Sequence, residues 1–345
     1  MKATLRILEP GLLSTLQDRG RHGYQRLGIP VSGALDWVSF EIANMLVGNP
    51  AGTAAIEMSF AGPALEVAAA SARVALAGTS GMIEILDPGS GRPARLPALQ
   101  SVRLERGTRF RIPGFGDSAV AYLAVEGGFD IASVMGSLST HWRAQIGPLD
   151  GCRITAGEVL PLRLATAPER TEVKLVLSRQ PSPNRYRVVL GPQDDKFAPA
   201  QVAAFLSSTY HVSREADRWG LRLDGPALAH AISIVSDAIA PGSIQVPAGG
   251  QPLVLLADRA TTGGYPKIAT VISADLPAMG RLTPGAAVIF EAVSVEVAED
   301  ARRRLEAEVQ AMRGRLQPVT GGTGLDAGRL MSENLISGVI DAKGD

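Results

Sequence analysis

Glycine and proline interrupt this chain so often that they limit the length of every regular element it can form. The 345 residues include 38 glycines and 23 prolines, and short apolar or β-branched runs lie between them. Such runs occupy residues 73–76, 83–86, 109–112, 120–125 and 188–190. Because both residue types favour turns and weaken the interior of helices and strands, we expect many short strands joined by turns. The pattern indicates a mainly β protein.

Helical periodicity occurs in a few segments. Residues 35–47 carry apolar side chains at helical spacing and are followed by Gly-Asn-Pro, a signal for a helix C-terminus. Residues 199–207 start with a proline, which suits the first helical position. Residues 300–316 place apolar side chains on one stripe among arginines and glutamates, which predicts a surface helix near the C-terminus.

The chain is predicted to contain two domains. Its length allows two hydrophobic cores, and a polar segment with prolines begins after residue 164. The predicted boundaries are residues 1–165 for an N-terminal β-barrel, 166–185 for a linker, 186–298 for a C-terminal β-barrel, and 299–345 for a C-terminal helix and tail. The glycine-rich part of the tail, residues 320–324, is expected to be a flexible or docking extension.

Two pairs of motifs recur in the same order in both halves. Residues 120–125 precede Glu-Gly-Gly-Phe, and residues 253–257 lead to Thr-Gly-Gly-Tyr. Likewise, Ile-Thr-Ala-Gly at residues 154–157 and Leu-Thr-Pro-Gly at residues 282–285 each precede an apolar run. Chance similarity of turn-plus-strand segments is an alternative explanation. The shared order favours a tandem of similar β-barrels.

The charged residues and the single cysteine limit the partners and the compartment. Lysine plus arginine equals aspartate plus glutamate, 34 of each, so we expect no nucleic acid partner and no recruitment to anionic membranes. Cys152 alone excludes an intramolecular disulfide and fits a reducing compartment, and four scattered histidines make no metal site. With Arg6 and Glu9 near the start and no apolar run of about 18 residues, we expect a cytoplasmic protein without signal peptide or membrane span.

Residues 258–267, Asp-Arg-Ala-Thr-Thr-Gly-Gly-Tyr-Pro-Lys, concentrate chemistry-bearing side chains between two apolar strands. We predict that four of them are catalytic because an acid, hydroxyls and a cation suit stabilisation of an oxyanion. These residues are Asp258, Thr261, Thr262 and Lys267, the lysine as an exposed cation at a strand end. The predicted substrate-binding residues here are Gly263, Gly264 and Tyr265. An alternative is a tight hairpin whose glycines supply positive φ angles.

Together with residues 10–21, Pro-Gly-Leu-Leu-Ser-Thr-Leu-Gln-Asp-Arg-Gly-Arg, and residues 241–247, Pro-Gly-Ser-Ile-Gln-Val-Pro, this stretch closely resembles the biotin-dependent carboxyltransferase family. That family includes the C subunit of bacterial ATP-dependent 5-oxoprolinase, the regulator KipA and the carboxyltransferase region of urea carboxylase, and is also labelled allophanate hydrolase subunit 2. The resemblance runs from about residue 5 to about residue 298. It implies two tandem cyclophilin-like β domains.

The resemblance also marks residues outside the 258–267 stretch as substrate-binding candidates. Gln17, Asp18, Arg19 and Arg21 belong to the family signature, and arginines there suit a carboxylate or ureido carbonyl, although an exposed Asp–Arg loop that pairs with itself is the alternative. The other candidates are Asp36, which suits a helix cap equally well, Arg218, and two further sets with an alternative each. Ser139, Thr140 and Arg143 span two predicted helical turns, for which an N-terminal capping segment is the alternative. Gln245 lies on a strand, where an ordinary polar residue on the solvent face is the alternative. Asn44 and Glu57 also match family positions, but bridging contacts would explain them equally.

Departures and absences narrow the function further. Trp219 stands where the family usually has methionine, which puts the shape of any pocket beside Arg218 in doubt. The chain has no phosphate-binding loop, dinucleotide fingerprint or nucleophile elbow. A Met-Lys pair of the kind that carries covalent biotin occurs only at residues 1–2, so biotin would be carried by another polypeptide.

Three functions follow from the resemblance. The first is the C component of a cytoplasmic hetero-oligomeric 5-oxoprolinase, which hydrolyses a lactam with ATP and with A and B components as partners. The second is carboxyl transfer from carboxybiotin, held on a separate carrier, to urea or a related amide. The third is a KipA-like regulator of a B-component homologue, without activity of its own. The roles assigned to the candidate site residues require Arg19, Arg143 and Lys267 to face one enclosed cavity.

Overall fold

The protein is described here by a computed structural model over residues 2–86, 94–177, 184–229 and 234–319. The mainly β fold class with a C-terminal helix is confirmed. The glycine-rich segment 320–324 and part of the proposed linker, residues 178–183, lie outside the described residues.

The first half consists of two β-sheets that face each other. A six-stranded sheet has the order β11-β1-β4-β9-β6-β7, and a five-stranded sheet has the order β2-β3-β10-β5-β8. Its strands are β1 (Thr4–Glu9), β2 (Leu13–Gln17), β3 (Ala55–Ser59), β4 (Ala64–Val67), β5 (Ser71–Ala77), β6 (Met82–Leu86), β7 (Ala94–Pro97), β8 (Ser101–Glu105), β9 (Arg109–Arg111), β10 (Val120–Val125) and β11 (Val159–Pro161).

Strand β10 is buried along its whole length because both of its faces are covered. Side chains of a strand alternate between the two faces of a sheet. Leu123 and Val125 therefore pack into the core between the two sheets, whereas Tyr122 and Ala124 pack against helix α1 (Trp37–Leu46). This explains why the strand is a continuous apolar run in the sequence.

The second half contains a closed seven-stranded barrel in the order β13-β20-β17-β18-β15-β14-β21. The strands of this half and its flanks are β12 (Val173–Lys174), β13 (Arg185–Leu190), β14 (Tyr210–Val212), β15 (Gly220–Asp224), β16 (Asp237–Ala238), β17 (Ser243–Gln245), β18 (Leu253–Leu255), β19 (Thr262–Gly263), β20 (Lys267–Val271), β21 (Ala287–Ala292) and β22 (Gln317–Pro318). Short two-stranded pairings join β16 to β19 and β12 to β22.

The predicted helices are confirmed, two of them with a different start. Helix α2 (Pro199–Ser207) has the predicted bounds, and α1 begins two residues inside the predicted segment 35–47. The C-terminal helix α4 (Val295–Met312) begins five residues earlier than predicted because the Ser294 hydroxyl caps it, accepting a hydrogen bond from the Val297 N–H. A short helix, α3 (Leu276–Gly280), was not expected from the sequence.

The described part of the predicted linker is docked against the first half. The guanidinium of Arg73, which is fully buried, forms ion pairs with Glu126 and, at 2.9 Å, with Glu172. Ala167 and Leu175 are also buried. A polar, proline-bearing composition therefore identified the connection between the halves, but the connection is held in place by a buried charge cluster.

One of the two recurrent motif pairs has the same backbone geometry in both halves. Gly157 and Gly285 have left-handed φ angles of 82° and 87° and precede β11 and β21, respectively. In the other pair, Gly127 and Gly128 have positive φ angles, whereas Gly263 lies in extended strand β19. The sequence similarity therefore corresponds to a shared turn at residues 154–157 and 282–285.

An aromatic cluster in the core of the second half allows a test of how that core is packed. The ring of Phe290 stacks on Phe205 with a centroid separation of 4.7 Å and is 1% exposed. We expect Phe290→Ala to lower the free energy of unfolding by about 3–5 kcal/mol, because it removes a large buried ring and leaves a cavity. Val297→Ala, at a half-exposed position of α4, is the control and is expected to change it by less than about 1 kcal/mol. Urea unfolding followed by circular dichroism measures both values. Equal effects would contradict this account of the core.

Candidate functional site between the two halves

A cleft of about 960 Å³ lies between the two halves of the chain. Its walls come from the loop after β2, from α1, from the segment after β18 and from α4. The charged side chains among the lining residues are Asp18, Arg19, Glu41, Arg259, Arg302, Glu306 and Arg313. Sites at the junction of two domains commonly bind small molecules, which makes this cleft the candidate functional site.

A buried ion cluster joins the two halves beside this cleft. Arg218, from the second half, donates from Nε to Asp258 Oδ2 at 2.8 Å and from Nη2 to Asp258 Oδ1 at 3.1 Å. Its Nη1 donates to Glu57 of the first half, and Nη2 also donates to the Gly33 carbonyl at 2.7 Å. All three charged side chains are 4% exposed or less. Burial by itself lowers the pKa of Arg218, but the charges of Asp258 and Glu57 outweigh it and raise that pKa above its ordinary value.

Glu57 links this cluster to the start of α1. One of its oxygens accepts hydrogen bonds from the Tyr122 hydroxyl at 2.6 Å and from the Leu35 N–H at 2.9 Å. Burial and the nearby carboxylates raise the pKa of Tyr122 well above its ordinary value, so the phenol stays protonated as a donor. Asn44 instead bonds the Thr53 carbonyl at 2.7 Å, an internal contact of α1 with the loop that follows it.

Asp18 organises two loops at the cleft. Its carboxylate accepts hydrogen bonds from the Gly20 N–H at 2.7 Å, the Ser137 hydroxyl at 2.6 Å, the Leu138 N–H at 2.6 Å and the Ser139 hydroxyl at 2.5 Å. Four donors to one carboxylate hold the loop after β2 against residues 137–139. The structure thus brings together Asp18 and Ser139, which lie 121 residues apart in the chain.

Buried polar atoms without a partner lie next to this loop pair. Gln17 donates to the Thr140 carbonyl at 2.9 Å and Arg21 donates to the Ser139 carbonyl. Within the described residues, Gln17 Oε1, Thr140 Oγ1, and both Nε and Nη1 of Arg21 are buried and have no hydrogen-bond partner. Burial lowers the pKa of Arg21, and the charges of Asp18 and Asp258 partly oppose this effect. Unsatisfied buried groups are rare in folded proteins and are the atoms that a ligand can satisfy.

The Asp36 side chain caps α1. It accepts hydrogen bonds from the N–H groups of Val38 at 3.0 Å and Ser39 at 3.1 Å and from the Ser39 hydroxyl. Burial raises the pKa of Asp36, although Arg281 and the capping donors act against this effect. Asp36 also connects to the ion cluster, because its N–H donates to the Tyr122 hydroxyl at 2.8 Å.

Arg19 lies on the cleft wall, whereas Arg143 lies outside it. Arg19 pairs with Glu41 at 2.7 Å, and both residues line the cleft. Arg143 is half exposed and pairs with Asp217 of the second half. The prediction of two helical turns around Ser139, Thr140 and Arg143 is wrong: residues 136–143 are irregular, because the Leu138 N–H bonds the Asp18 carboxylate and the Thr140 N–H bonds the Leu16 carbonyl instead of carbonyls one helical turn earlier.

Lys267 differs from the predicted exposed cation, because its side chain is 2% exposed. Its Nζ donates to Asp237 Oδ2 at 2.6 Å and to the Ala238 carbonyl at 2.9 Å. Hydrogen bonding to Lys267 lowers the pKa of Asp237, an exposed residue. Gln245, the cross-strand neighbour of Lys267, is buried and donates to the Tyr265 carbonyl at 3.4 Å. This cluster fastens β16 to the start of β20.

The glycines of the 258–267 stretch serve close packing. A Cβ on Gly263 would lie 2.8 Å from Gln245 Nε2 and from Ile239 Cδ1, and one on Gly264 would lie 3.3 Å from the Ile234 carbonyl oxygen. Neither has a positive φ angle, so the alternative of a hairpin with left-handed glycines is wrong. Thr261 accepts a backbone hydrogen bond from Ile239 at 2.9 Å, Thr262 pairs with Ala238, and Tyr265 is 45% exposed.

The structure therefore separates the candidates into two clusters. The first, at the junction of the halves, contains Gln17, Asp18, Arg21, Ser139, Thr140, Arg218 and Asp258. The second surrounds Lys267 and Asp237. The three cations expected in one cavity are apart: Arg19 lines the cleft, and Arg143 and Lys267 do not. Pairing with Asp217 and Asp237, respectively, explains why these two cations face elsewhere.

Sequence reasoning missed Arg259, which lines the cleft. The residue is 1% exposed and donates to the backbone carbonyls of Ile239 at 3.1 Å and Leu256 at 3.3 Å. Its position inside the 258–267 stretch was a signal that sequence reasoning could have used. The catalytic roles were assigned instead to the adjacent acid and hydroxyls. Burial lowers the pKa of Arg259 to about 10, with Asp258 acting in the opposite direction.

Comparison with known proteins identifies the class. The profile described as carboxyltransferase domain, subdomain A and B, matches residues 27–292, and the chain belongs to this family. It is 34% identical to the C subunit of Escherichia coli 5-oxoprolinase over 90% of this chain and 98% of that protein, and 33% identical to that of Haemophilus influenzae over 89% and 97%. The solved structure of the Kluyveromyces lactis urea amidolyase superposes with a TM-score of 0.81 at 25% identity, over 90% of this chain and 20% of that one.

Metal-binding clusters and membrane spans are absent from the described residues. No group of three or more histidine, cysteine, aspartate or glutamate side chains there could hold a metal ion. In the same ranges, no helix is both long and apolar enough to span a membrane.

The ion cluster predicts a large effect of removing its cation. We expect Arg218→Met to lower the free energy of unfolding by about 3–5 kcal/mol, because it leaves two buried carboxylates without a counter-charge. Arg222→Met on β15, whose side chain is 48% exposed, is the matched control and is expected to cost less than about 1 kcal/mol. Urea unfolding midpoints test the pair. An Arg218 variant as stable as the control would show that the cluster does not hold the halves together.

The raised pKa of Asp36 predicts that its contribution to the stability of the folded protein depends on pH. Folding favours the protonated acid, so stability from this group is present below its unfolded pKa and is lost as pH rises through its folded pKa. Asp36→Asn keeps a good capping residue without the ionisation. We therefore expect the stability of the wild type, relative to this variant, to fall as pH rises from about 4 to about 7, the range above the ordinary pKa of an aspartate. Urea titrations at the two pH values measure this difference, and a rise would contradict it.

Proposed function

We propose that this chain is the C component of an ATP-dependent 5-oxoprolinase, opening 5-oxoproline to glutamate with a homologous B component and an A component. The observation that carries this proposal is the similarity to the C subunit of Escherichia coli 5-oxoprolinase, which covers 98% of that protein. The similarity to the Saccharomyces cerevisiae urea amidolyase covers 18% of that protein at 27% identity. One comparison thus spans a whole protein, and the other spans a region of a larger enzyme.

The unsatisfied atoms at the junction of the halves suit a small cyclic amide. Gln17 Oε1 is an acceptor for a lactam N–H, and Arg21 and the Thr140 hydroxyl are donors for its carbonyl oxygen. These groups are buried, and hydrogen bonds to a charged donor gain strength in a water-poor environment. Fixed donors of this kind stabilise negative charge that develops on oxygen during acyl transfer.

In the proposed reaction the lactam oxygen attacks the γ-phosphorus of ATP and ADP leaves. Water adds to the activated carbon, and the C–N bond breaks as the nitrogen takes up a proton and becomes the amine. A second water hydrolyses the resulting acyl phosphate, which releases phosphate and leaves the carboxylate. Arg21 meets the negative charge on the carbonyl oxygen. Asp258 acts as a positioning residue, because both of its oxygens accept hydrogen bonds from Arg218. Lys267 also acts as a positioning residue, because it holds β16 against the start of β20. The chain has no phosphate-binding loop, and we propose that nucleotide binds at the interface between this chain and the partner proteins.

Carboxyl transfer is the second candidate, favoured by the superposition on the Kluyveromyces lactis urea amidolyase. In this case the same donors would meet the ureido oxygen of carboxybiotin, whose carrier is a separate polypeptide. The acceptor would be urea or a related amide nitrogen. A KipA-like regulatory role without turnover is the third candidate.

Reconstitution separates the three candidates. The chain purified with its A and B partners is expected to release glutamate from 5-oxoproline only when ATP is present. Bicarbonate consumption that depends on a biotinylated carrier would establish the second candidate in its place. A stable complex with no turnover in either assay would support the regulatory role.

Variants of the buried donors test the site within that assay. We expect Arg21→Met to reduce kcat about 100-fold or more, because it removes a fixed cationic donor to the developing oxyanion. Thr140→Val, whose lost hydroxyl has no hydrogen-bond partner in the described part of the chain, should reduce kcat/KM about tenfold without lowering Tm. Arg153→Met at an exposed position is the control. Wild-type rates in both donor variants would remove this cluster from the reaction.

A further inference from the structure

Three hydrogen-bond donors that line the cleft are buried and have no partner in the described residues. They are Arg259 Nη2, Ser32 Oγ and Trp37 Nε1. The three come from the loop before α1, from α1 itself and from the loop after β18. These donors are left unsatisfied on the wall of one cleft. This costs free energy of folding unless a ligand binds there. A ligand that satisfies them must carry acceptors.

The charge balance of the cleft points the same way. Arg19 is paired with Glu41, and Arg302 is paired with Glu306 at 2.7 Å. The Asp18 carboxylate already accepts hydrogen bonds from four donors. Arg313, the remaining cleft arginine, is exposed and donates to the Asn49 carbonyl at 3.4 Å. Arg259 is buried, and its hydrogen-bond partners are two backbone carbonyls.

Asp258 does not neutralise Arg259. Its charge favours the protonated arginine, but both of its oxygens bind Arg218, and no ion pair joins Asp258 to Arg259 in the described residues. Burial lowers the pKa of Arg259, and the opposing charge of Asp258 does not offset this effect. An anion beside Nη2 would supply the missing acceptor and the missing charge together.

We propose that Arg259 is the anion-binding residue of the cleft, where it binds a carboxylate or phosphoryl oxygen with the help of Ser32 and Trp37. This inference deepens the proposed function and rests on it for the choice of ligands. The substrate lactam carries a carboxylate and the nucleotide carries phosphates, so one chemistry has two sources.

Direct binding to the full chain tests the proposal without turnover. Isothermal titration with 5-oxoproline, with a non-hydrolysable ATP analogue and with 2-pyrrolidinone distinguishes the ligands. The last compound is the same lactam without its carboxylate. We expect 5-oxoproline to bind at least about tenfold more tightly than 2-pyrrolidinone, because a charged acceptor forms the stronger hydrogen bond. Binding of the ATP analogue alone would also support the anion site and would identify phosphate as its source.

Two variants assign the effect to these residues. Arg259→Met is expected to weaken anion binding about tenfold to hundredfold, the usual range for a hydrogen bond to a charged group. Ser32→Ala removes a hydroxyl with no partner in the described residues, so it should weaken binding severalfold while Tm is unchanged. Arg304→Met, at an 80% exposed position of α4, is the control. The Tm of each variant reports whether it folds.

The proposal is overturned if neither anion binds the wild-type chain, if the neutral lactam binds as tightly as the acid and the ATP analogue does not bind, or if Arg259→Met and Ser32→Ala both bind like the wild type. These outcomes are distinct from failure of the proposed function. One possible result is that Arg259→Met abolishes anion binding while the assembled complex releases no glutamate. That result would keep this inference and reject the 5-oxoprolinase reaction.

Discussion

The contact of Arg218 with Glu57 and Asp258 is the interaction on which the arrangement of the two halves depends. A guanidinium from the barrel half is inserted between a carboxylate of its own half and one of the other, with all three side chains buried. The mutual attraction offsets the large cost of removing three charges from water only while the geometry is kept. The cluster also bonds Gly33 and, through Glu57, Leu35, so it fixes the segment that leads into α1 and the cleft.

Around this cluster the protein uses its charged residues in two different ways. Asp18, Asp258 and Lys267 have their hydrogen-bonding capacity largely taken up by neighbours, and these residues hold loops in place. Arg21 and Arg259 are equally buried but retain N–H groups that have no partner among the described residues. A pre-organised, partly unsatisfied arginine is a costly feature for stability and a useful one for binding an oxygen with negative charge. The candidate site is thus defined by which buried groups remain unsatisfied.

The sequence predicted local elements well where local rules decide them. Proline at the first position fixed the start of α2, and Gly-Asn-Pro marked the end of α1. Strand β10 was predicted with its observed bounds because a run buried on both faces is continuously apolar. The prediction failed at residues 136–143, where the distant Asp18 carboxylate accepts a hydrogen bond from the Leu138 N–H. It also failed at the start of α4, where the Ser294 cap lay outside the apolar stripe.

For the site, the sequence by itself determined the residue types, the family signature and which side chains are concentrated at residues 258–267. Only the tertiary structure decided which of those residues meet. Asp258 and Lys267 are nine positions apart, yet one binds Arg218 at the junction of the halves and the other binds Asp237 beside the barrel. Arg143 is drawn away by Asp217, and Arg259 remains at the cleft with a donor left unsatisfied within the described ranges. The physical reason is that pairing of buried charges depends on contacts between residues distant in the chain, which spacing along the sequence does not encode.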